Sequence, residues 1–182
     1  MSNIVYRNRG MFLEKLLNDT NTYYVSIDKA IIYKKPTPIK VLEVSYPTRR
    51  TTVINKAVYE RISTLDYNGI YKGKYIEFDA KECKNKNSFP LSNIKEHQIE
   101  HIKRIIKHGG IAFIILFMNN EFYLIDGNYL INYIKNNTKK SISYEEIKNN
   151  TYKINETYIP RIDYLKVVDK VYFGGNNEEN KF

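Results

Sequence analysis

Residues 76–82 alternate between apolar and charged side chains, the pattern of a β-strand with one buried face and one polar face. Successive side chains of a strand point to opposite sides, so Asp79 and Lys81 share the polar face while Phe78 and Ala80 share the apolar face. The apolar face can pack on a core. This strand therefore belongs to a sheet that covers a hydrophobic layer, and it holds an acid and a lysine side by side.

Asp66 lies upstream of this strand and completes a D…(D/E)-x-K pattern with Asp79 and Lys81, which is typical of magnesium-dependent nucleases. Magnesium favours oxygen ligands and keeps several waters, so two carboxylates plus phosphate oxygens suit it. The metal activates water and neutralises charge on the scissile phosphate, and a nearby lysine adds a fixed positive charge. The same residue types also occur as solvated charge at the rim of a strand, so the pattern needs support from the rest of the chain.

Size and charge limit the possible classes of protein. A chain of 182 residues with 42% hydrophobic content suits one domain, which we expect over residues 1–173, with a disordered polar tail over residues 174–182. Lysine and arginine number 29 against 20 aspartate and glutamate, a net charge of +9. This excess favours a polyanionic partner and says nothing about the fold.

The cysteine count and the lengths of the apolar runs predict the cellular compartment. Cys83 is the one cysteine, so no intrachain disulfide forms and the chain suits a reducing cytosol. The N-terminal residues lack the apolar core of a signal peptide, and no apolar run approaches the roughly 18 residues of a membrane span. We therefore expect a soluble cytoplasmic protein without a membrane partner.

Hydrophobic periodicity predicts alternating helices and strands. The predicted elements are a helix over residues 8–19, a strand over 25–33, a hairpin over 67–71 and 75–82, a helix from Ile94 to the glycines at 109–110, strands over 111–118 and 122–125, helices over 129–136 and after Ser143, and a late strand within 161–173. In the first helix we expect Met11, Phe12 and Leu16 to be buried, with Leu13 and Leu17 as further candidates. This order indicates an α/β or α+β fold, a mixed sheet flanked by helices.

The segment that precedes Asp66 is strongly basic. Residues 34–61 hold two acids against seven basic side chains, namely Lys34, Lys35, Lys40, Arg49, Arg50, Lys56 and Arg61. Pro36 and Pro38 interrupt regular structure at its start because proline cannot donate a ladder hydrogen bond. Phosphate contacts would use these cations, and the alternative for any single one, such as Lys56, is a solvated surface loop.

Six short blocks carry a family likeness. They are Asn8-Arg9-Gly10-Met11, Lys34-Lys35-Pro36-Thr37-Pro38, Asp66-Tyr67-Asn68-Gly69, Phe78-Asp79-Ala80-Lys81-Glu82, His97-Gln98 and Pro160-Arg161-Ile162-Asp163-Tyr164. In this order they resemble the RecU-type Holliday junction resolvases of Gram-positive bacteria, over about residues 8–173. The resemblance implies a restriction-endonuclease-like fold, a homodimer, and cutting of four-way DNA junctions by paired symmetric nicks with Mg²⁺ or Mn²⁺, in recombination and DNA repair.

The resemblance also implies residue roles. Metal ligands would be Thr64, Asp66, Asp79 and Gln98, with Lys81 assisting the transition state. A basic stalk over about residues 40–61 would enter the junction, and the side chains implied or favoured for DNA contact are Arg9, Lys34, Lys35, Arg49, Arg50 and Lys56, with Glu14 as a possible supporting acid. Recombinase and branch-migration proteins are further expected partners. Position 79 is Asp where the family usually has Glu, which shortens that ligand by one methylene.

Two alternatives remain open from the sequence. His97 and His101, with Glu100 between them, match the H-x-x-E-H pattern of zinc hydrolases, in which two histidines one helical turn apart bind the metal. The other alternative is a DNA-binding protein that keeps the fold and the basic stalk but does not cut. Zinc content would support the first, and junction binding without cleavage would support the second.

Overall fold

The structure is a computed structural model that describes residues 11–59 and 64–174. Its helices are α1 (Met11–Ser26), α2 (Glu96–Lys107), α3 (Gly127–Asn136), α4 (Tyr144–Asn150) and α5 (Tyr164–Tyr172), and a 3-10 turn spans Leu91–Asn93. Its strands are β1 (Ile31–Lys34), β2 (Ile39–Thr48), β3 (Thr51–Tyr59), β4 (Tyr67–Tyr71), β5 (Lys74–Cys83), β6 (Ser88–Pro90), β7 (Ile111–Met118), β8 (Glu121–Asp126), β9 (Ser141–Ser143) and β10 (Tyr152–Ile154). Four predictions fall partly or wholly outside the described residues: the start of the first helix, the DNA contact of Arg9, the final part of the stalk, and the tail.

The main sheet has six strands in the order β1-β4-β5-β7-β8-β10. Neighbouring strands are antiparallel except for β5 and β7, which pair in parallel over residues 76–83 and 111–118. A parallel pair needs a crossover connection, and the segment containing α2 supplies it. The predicted mixed sheet flanked by helices is therefore confirmed, and β5 lies in its interior.

The sheet is covered on both faces. On one face Phe78 joins a core that includes α1 and α5, and its ring stacks between Tyr67 and Phe113 with centroids 4.9 Å away on each side. On the other face a second core is formed with α2, α3 and α4. The prediction that Phe78 faces a core is confirmed, and the same packing places Asp79 beneath α2 on the opposite side of the sheet.

Strands β2 and β3 form a separate two-stranded hairpin, here called the stalk, which pairs with no strand of the main sheet. Nearly every stalk residue is exposed. Ten residues at about 3.3 Å each make it about 30 Å long. Arg49 and Arg50 occupy the turn at its tip, closed by a 2.9 Å hydrogen bond between the Thr48 and Thr51 hydroxyls.

The first helix is longer than the sequence predicted, and the strand predicted over residues 25–33 begins only at Ile31. In the predicted buried stripe, Met11 and Phe12 are wrong, since they are 58% and 43% exposed. Leu16 is partly buried against the core, and the further candidates Leu13 and Leu17 are confirmed as fully buried. The residues that α1 buries are Leu13, Leu17, Thr20, Asn21 and Tyr24. Two of these are polar, so hydrophobicity alone did not reveal that the helix continues.

The late strand predicted within residues 161–173 is wrong, because that segment forms α5. Leu165 and Val168 are fully buried one turn apart, and this helical spacing outweighs the strand preference of the adjacent valines. The helix predicted after Ser143 is confirmed as α4, with reciprocal hydrogen bonds between Ser143 and Glu146. Within the described ranges, no helix is both long and apolar enough to cross a lipid bilayer.

Candidate active site

The structure brings Asp66, Asp79 and Lys81 together. The β4–β5 hairpin pairs Tyr67 with Phe78, which sets Asp66 beside Asp79 at the end of the ladder. The main-chain N–H of Ala80 donates to Asp66 Oδ2 over 3.4 Å, and Lys81 Nζ lies 2.6 Å from Asp79 Oδ2. Two carboxylates and one ammonium therefore converge on the polar face of β5, on the side that the strand alternation predicted.

Asp79 is fully buried, and its two carboxylate oxygens have different surroundings. Oδ2 contacts Lys81 and accepts a 2.9 Å hydrogen bond from Gln98 Nε2. Oδ1 has no hydrogen-bond partner among the described residues. A buried carboxylate oxygen without a donor is costly in a closed protein, so this atom has the chemistry of a metal ligand.

The pKa of Asp79 reflects this burial. Loss of solvation raises the pKa of Asp79 to about 7, with the neighbouring Asp66 carboxyl also raising it and Lys81 lowering it. Two adjacent acids share one site here, and a cation between them would favour the ionised form of both. The electrostatics thus suit a site that gains its full negative charge when a cation arrives.

Gln98 and Thr64 support Asp79 from the other side. The Gln98 side chain donates from Nε2 to Asp79 Oδ2 and, over 3.1 Å, to the carbonyl oxygen of Thr64. Its amide oxygen accepts from the main-chain N–H of Lys95 at the start of α2. In this orientation Gln98 fixes the Asp79 carboxylate and offers it no oxygen, so the implied role of Gln98 as a metal ligand would need the amide to turn over.

The donor set fits a hard divalent cation with open coordination positions. No group of three or more histidine, cysteine, aspartate or glutamate side chains that could hold a metal occurs in residues 11–59 and 64–174. A closed protein cage is therefore absent from that part of the chain. Asp66 and Asp79 supply two carboxylates, and water and phosphate oxygens would complete the shell of Mg²⁺.

Comparisons with known proteins show the family of this chain. The family model for RecU, recombination protein U, matches residues 8–170. The chain belongs to the RecU family. It is 50% identical over 173 residues to the Holliday junction resolvase RecU of Bacillus mycoides (strain KBAB4), covering 92% of this chain and 86% of that protein. It is 51% identical, with the same coverage, to the protein of that name from Geobacillus sp. (strain WCH70).

A solved structure also matches this RecU-family chain. It is Hjc of Archaeoglobus fulgidus, a Holliday junction resolvase from an archaeal hyperthermophile. The match covers 79% of this chain and 95% of Hjc at 11% identity, with a TM-score of 0.44. This likeness is too distant to bear on function.

The residues predicted to contact DNA fall into three groups. Arg49 and Arg50 at the stalk tip and Lys56 on β3 are exposed. The other two lysines lie at the base of the stalk, where Lys34 pairs with Glu14 at 2.5 Å. Lys35 is held by both Thr64 and Glu77, so its ammonium already has two acceptors. Arg9 lies outside the described residues.

A cavity of about 530 Å³ opens beside the candidate catalytic lysine. Its lining includes Lys81, Lys84, Lys95 and the polar side chains of Asn85, Ser92 and Asn93. Among the described residues, neither Lys84 nor Lys95 pairs with an acid. Glu82 is the one acid of this lining, so three lysines outweigh it and the cavity carries a net positive charge. Lys81 connects the cavity to the site, because its ammonium contacts Asp79.

Glu77 is the site residue that sequence analysis missed. It is 1% exposed and lies two residues before Asp79, so strand alternation already placed it on the polar face of β5. Burial raises the pKa of Glu77, but hydrogen bonds from Lys35, Tyr75 and His101 outweigh that effect and hold the pKa below its ordinary value. The acid is therefore ionised in the folded protein.

The zinc alternative does not gain support. His101 Nε2 lies 2.9 Å from both carboxylate oxygens of Glu77, so it contacts an acid of the sheet. Within residues 11–59 and 64–174, neither His97 nor His101 belongs to a group of three or more histidine, cysteine, aspartate or glutamate side chains that could hold a metal. The H-x-x-E-H pattern on α2 thus has no third ligand in that part of the chain.

Proposed function

We propose that this protein is a Holliday junction resolvase, a Mg²⁺-dependent endonuclease with a restriction-endonuclease-like fold that cuts four-way DNA junctions by paired symmetric nicks. The observation that carries this proposal is the unpartnered, buried Oδ1 of Asp79 beside Asp66 and Lys81, in a chain of the RecU family. Mn²⁺ can take the place of Mg²⁺, because both accept carboxylate and water ligands.

The site residues have distinct tasks. Asp66 and Asp79 would hold the divalent cation, which would activate water and neutralise charge on the scissile phosphate. Gln98 holds Asp79 in one orientation. Lys81, 21% exposed, reaches the site from the same face of β5 and places a positive charge where the phosphate gains negative charge.

Junction selectivity would come from shape. Contacts to phosphates give affinity without sequence information, so the arms must be recognised by the geometry of the protein. We propose a homodimer, since a two-fold axis presents two identical sites to the two strands that must be cut. The stalk supports this proposal because an isolated hairpin is marginally stable and this one exposes apolar side chains, among them Val41, Leu42, Val53 and Ile54.

The biological setting follows from this activity. Four-way junctions arise in homologous recombination and in the DNA repair that depends on it. Recombinase and branch-migration proteins are therefore proposed as further partners. The protein would then act in the cytoplasm at the nucleoid.

Metal dependence is the test of this proposal. Incubation of a labelled four-way junction with the protein in Mg²⁺ should release nicked strands, whereas EDTA should abolish nicking and Mn²⁺ should restore it. Junction binding without nicking in either metal would instead identify a DNA-binding protein that does not cut. Stoichiometric zinc in the purified protein, lost together with activity in His97→Ala, would support the zinc hydrolase.

The stalk tip gives a prediction about affinity. Replacing both Arg49 and Arg50 with alanine should weaken junction binding about tenfold and reduce the slope of log K against log[salt] by about 2, because two phosphate contacts are lost. A salt titration by fluorescence anisotropy measures both quantities. The Lys166→Ala/Lys170→Ala variant is the matched control. It removes two exposed charges from α5, which packs on the face of the sheet opposite to Asp79. An equal loss in both variants would exclude a specific role for the stalk tip.

The basic cavity gives a prediction about the cut strand. If the phosphates next to the scissile bond lie in it, Lys84→Ala with Lys95→Ala should raise the junction concentration needed for half-maximal cutting about tenfold. The maximal rate should change less, since neither side chain reaches Asp79. Steady-state nicking over a range of junction concentrations separates the two effects. An unchanged half-maximal concentration would show that the strand runs elsewhere.

A further inference from the structure

Glu77 is a buried acid that contacts four polar side chains. It accepts hydrogen bonds from Tyr75 Oη at 2.6 Å and Thr64 Oγ1 at 3.2 Å, and His101 Nε2 lies 2.9 Å from both of its oxygens. Lys35 also donates to it. A buried charge is stable only when it is paired and fully hydrogen-bonded, and these partners meet that requirement. They come from four different places in the chain.

Two of these partners belong to the base of the stalk. Lys35 follows the last residue of β1 and precedes the stalk, and its main-chain N–H donates to the carbonyl oxygen of Asp66 over 2.8 Å. Thr64 is the first described residue after the stalk, and its hydroxyl accepts a hydrogen bond from Lys35. The entry and exit segments of the stalk are therefore fastened to the same carboxylate, two residues before Asp79.

A short chain of contacts connects this carboxylate to the candidate metal ligands. The hydroxyl of Thr64 donates to Glu77, while its carbonyl accepts from Gln98, which also donates to Asp79. His101 lies one helical turn after Gln98 on α2, so Glu77 also contacts the helix that carries Gln98. Movement of Lys35 would thus reach Asp79 through Glu77, Thr64 and Gln98, whereas movement of the Thr64 main chain would reach it through Gln98 alone.

We propose that Glu77 is a positioning residue that fixes the base of the stalk against Asp66 and Asp79, so that the place of the stalk in a branched DNA determines which phosphate is cut. This inference rests on the proposed function. Of the four residues implied as metal ligands, Glu77 accepts a hydrogen bond from Thr64 alone, and it does not line the cavity beside Lys81. Glu77 would act on geometry. It would hold the stalk, which is about 30 Å long, and the candidate metal site in one relative position.

The test uses Glu77→Gln, which keeps the shape of the side chain and removes its charge. Amide hydrogen exchange should rise at least about tenfold at Lys35, Thr37 and residues 64–66, with no change in β7 and β8, because only the base of the stalk is released. On a labelled junction the nicks, confined to one phosphate per strand in the wild type, should spread over neighbouring phosphates. The nicking rate should fall about ten- to a hundredfold, as expected for small displacements of a reacting group.

A control is available on another strand of the sheet, β8. Glu121 likewise accepts hydrogen bonds from two tyrosines, Tyr123 and Tyr144, and from a lysine, Lys153. Glu121→Gln removes a comparable set of hydrogen bonds from a more exposed acid, and it should leave both nick position and exchange at the stalk base as in the wild type. Lys35→Gln removes the same ion pair from its exposed side, and it should reproduce the effects of Glu77→Gln even if the latter fails to fold.

The outcomes are distinct. Unchanged exchange at the stalk base, or nicks confined to the wild-type phosphate, in a folded variant that lacks the Glu77–Lys35 pair would overturn the inference. Spread nicks in Glu121→Gln would also overturn it, since they would show a general effect of destabilisation. A wild type that cuts no junction would defeat the proposed function, and the exchange measurement alone would then decide whether Glu77 holds the stalk.

Discussion

Lys81→Ala is expected to reduce junction nicking about 100- to 1,000-fold while leaving junction binding within about twofold of the wild type. The ammonium lies 2.6 Å from Asp79 Oδ2, beside the place where a phosphate bound to a cation held by Asp66 and Asp79 would gain negative charge. It contributes one positive charge among the many that bind DNA, so its removal affects the reaction far more than affinity. Single-turnover nicking, together with anisotropy in Ca²⁺, measures the two separately.

A second lysine of the same strand provides the control for this prediction. Lys74 is exposed at the start of β5, far along the strand from the carboxylates, and Lys74→Ala removes the same charge. It should nick junctions at the wild-type rate. A Lys81→Ala protein that cuts as fast as Lys74→Ala would show that catalysis does not pass through this site.

Asp79→Asn is expected to reduce nicking by at least about 1,000-fold, because it removes the proposed buried metal ligand and with it several kcal/mol of transition-state stabilisation. The same substitution should stabilise the metal-free protein. A buried carboxylate with one unpartnered oxygen beside a second acid is costly when ionised, and an amide of the same shape is neutral. Activity and stability should therefore change in opposite directions.

The pH dependence of this effect has a definite sign. The carboxyl of Asp79 has an ordinary pKa of 3.8, and burial raises its pKa to about 7 in the folded protein. Between those values the folded state binds more protons than the unfolded state, so the free energy of unfolding of the metal-free wild type falls as pH rises from about 4 to about 7. Asp79→Asn lacks this loss. The stability advantage of Asp79→Asn over the wild type should be absent below about pH 4 and complete above about pH 7.

We expect the free energy of unfolding of Asp79→Asn to exceed that of the wild type by about 1 to 2 kcal/mol at pH 8. This is less than the full pKa shift of Asp79 implies, because Lys81 loses its carboxylate partner in the variant. Urea unfolding in EDTA at pH 4 and pH 8 measures it. Added Mg²⁺ should stabilise the wild type by mass action and leave Asp79→Asn unchanged. If Asp79→Asn were less stable than the wild type at pH 8 in EDTA, protein contacts alone would suffice to stabilise the ionised Asp79 carboxylate.

Asp169→Asn is the control for the loss of a carboxylate. Asp169 lies on α5, where it accepts hydrogen bonds from Tyr71 and Lys72 on the other face of the sheet. Its removal should lower stability slightly through the lost hydrogen bonds and leave nicking intact. If Asp169→Asn also abolished nicking, the effect of Asp79→Asn could not be assigned to a metal site.

Local patterns in the sequence sufficed for the part of the fold that builds the site. The β4–β5 hairpin, β7 and α2 follow from alternation, from the turn at Lys72 and Gly73, and from a helical apolar stripe, all of which are properties of neighbouring residues. Strand alternation also predicted that Asp79 and Lys81 share a face. The ends of α1 and the identity of α5 were wrong because packing decided them.

The contacts that complete the site depend on residues distant in sequence, and this is why they could not be predicted. Lys35 and Glu77 are 42 positions apart, and Glu77 and His101 are 24 apart. The orientation of the Gln98 amide likewise depends on Thr64 and Asp79, which only the folded chain brings near it. Alternation could have marked Glu77 as a residue of the polar face, but no local signal names its partners.

The most direct measurement compares a synthetic four-way junction with a linear duplex that contains the same arm sequences, each strand labelled in turn, in the presence of Mg²⁺. We predict nicks at symmetric positions in two opposing strands of the junction and an intact duplex. Equal cutting of both substrates would make the protein a general nuclease. Tight binding of the junction with no nick in Mg²⁺ or Mn²⁺ would contradict the proposed catalytic role of Asp66, Asp79 and Lys81.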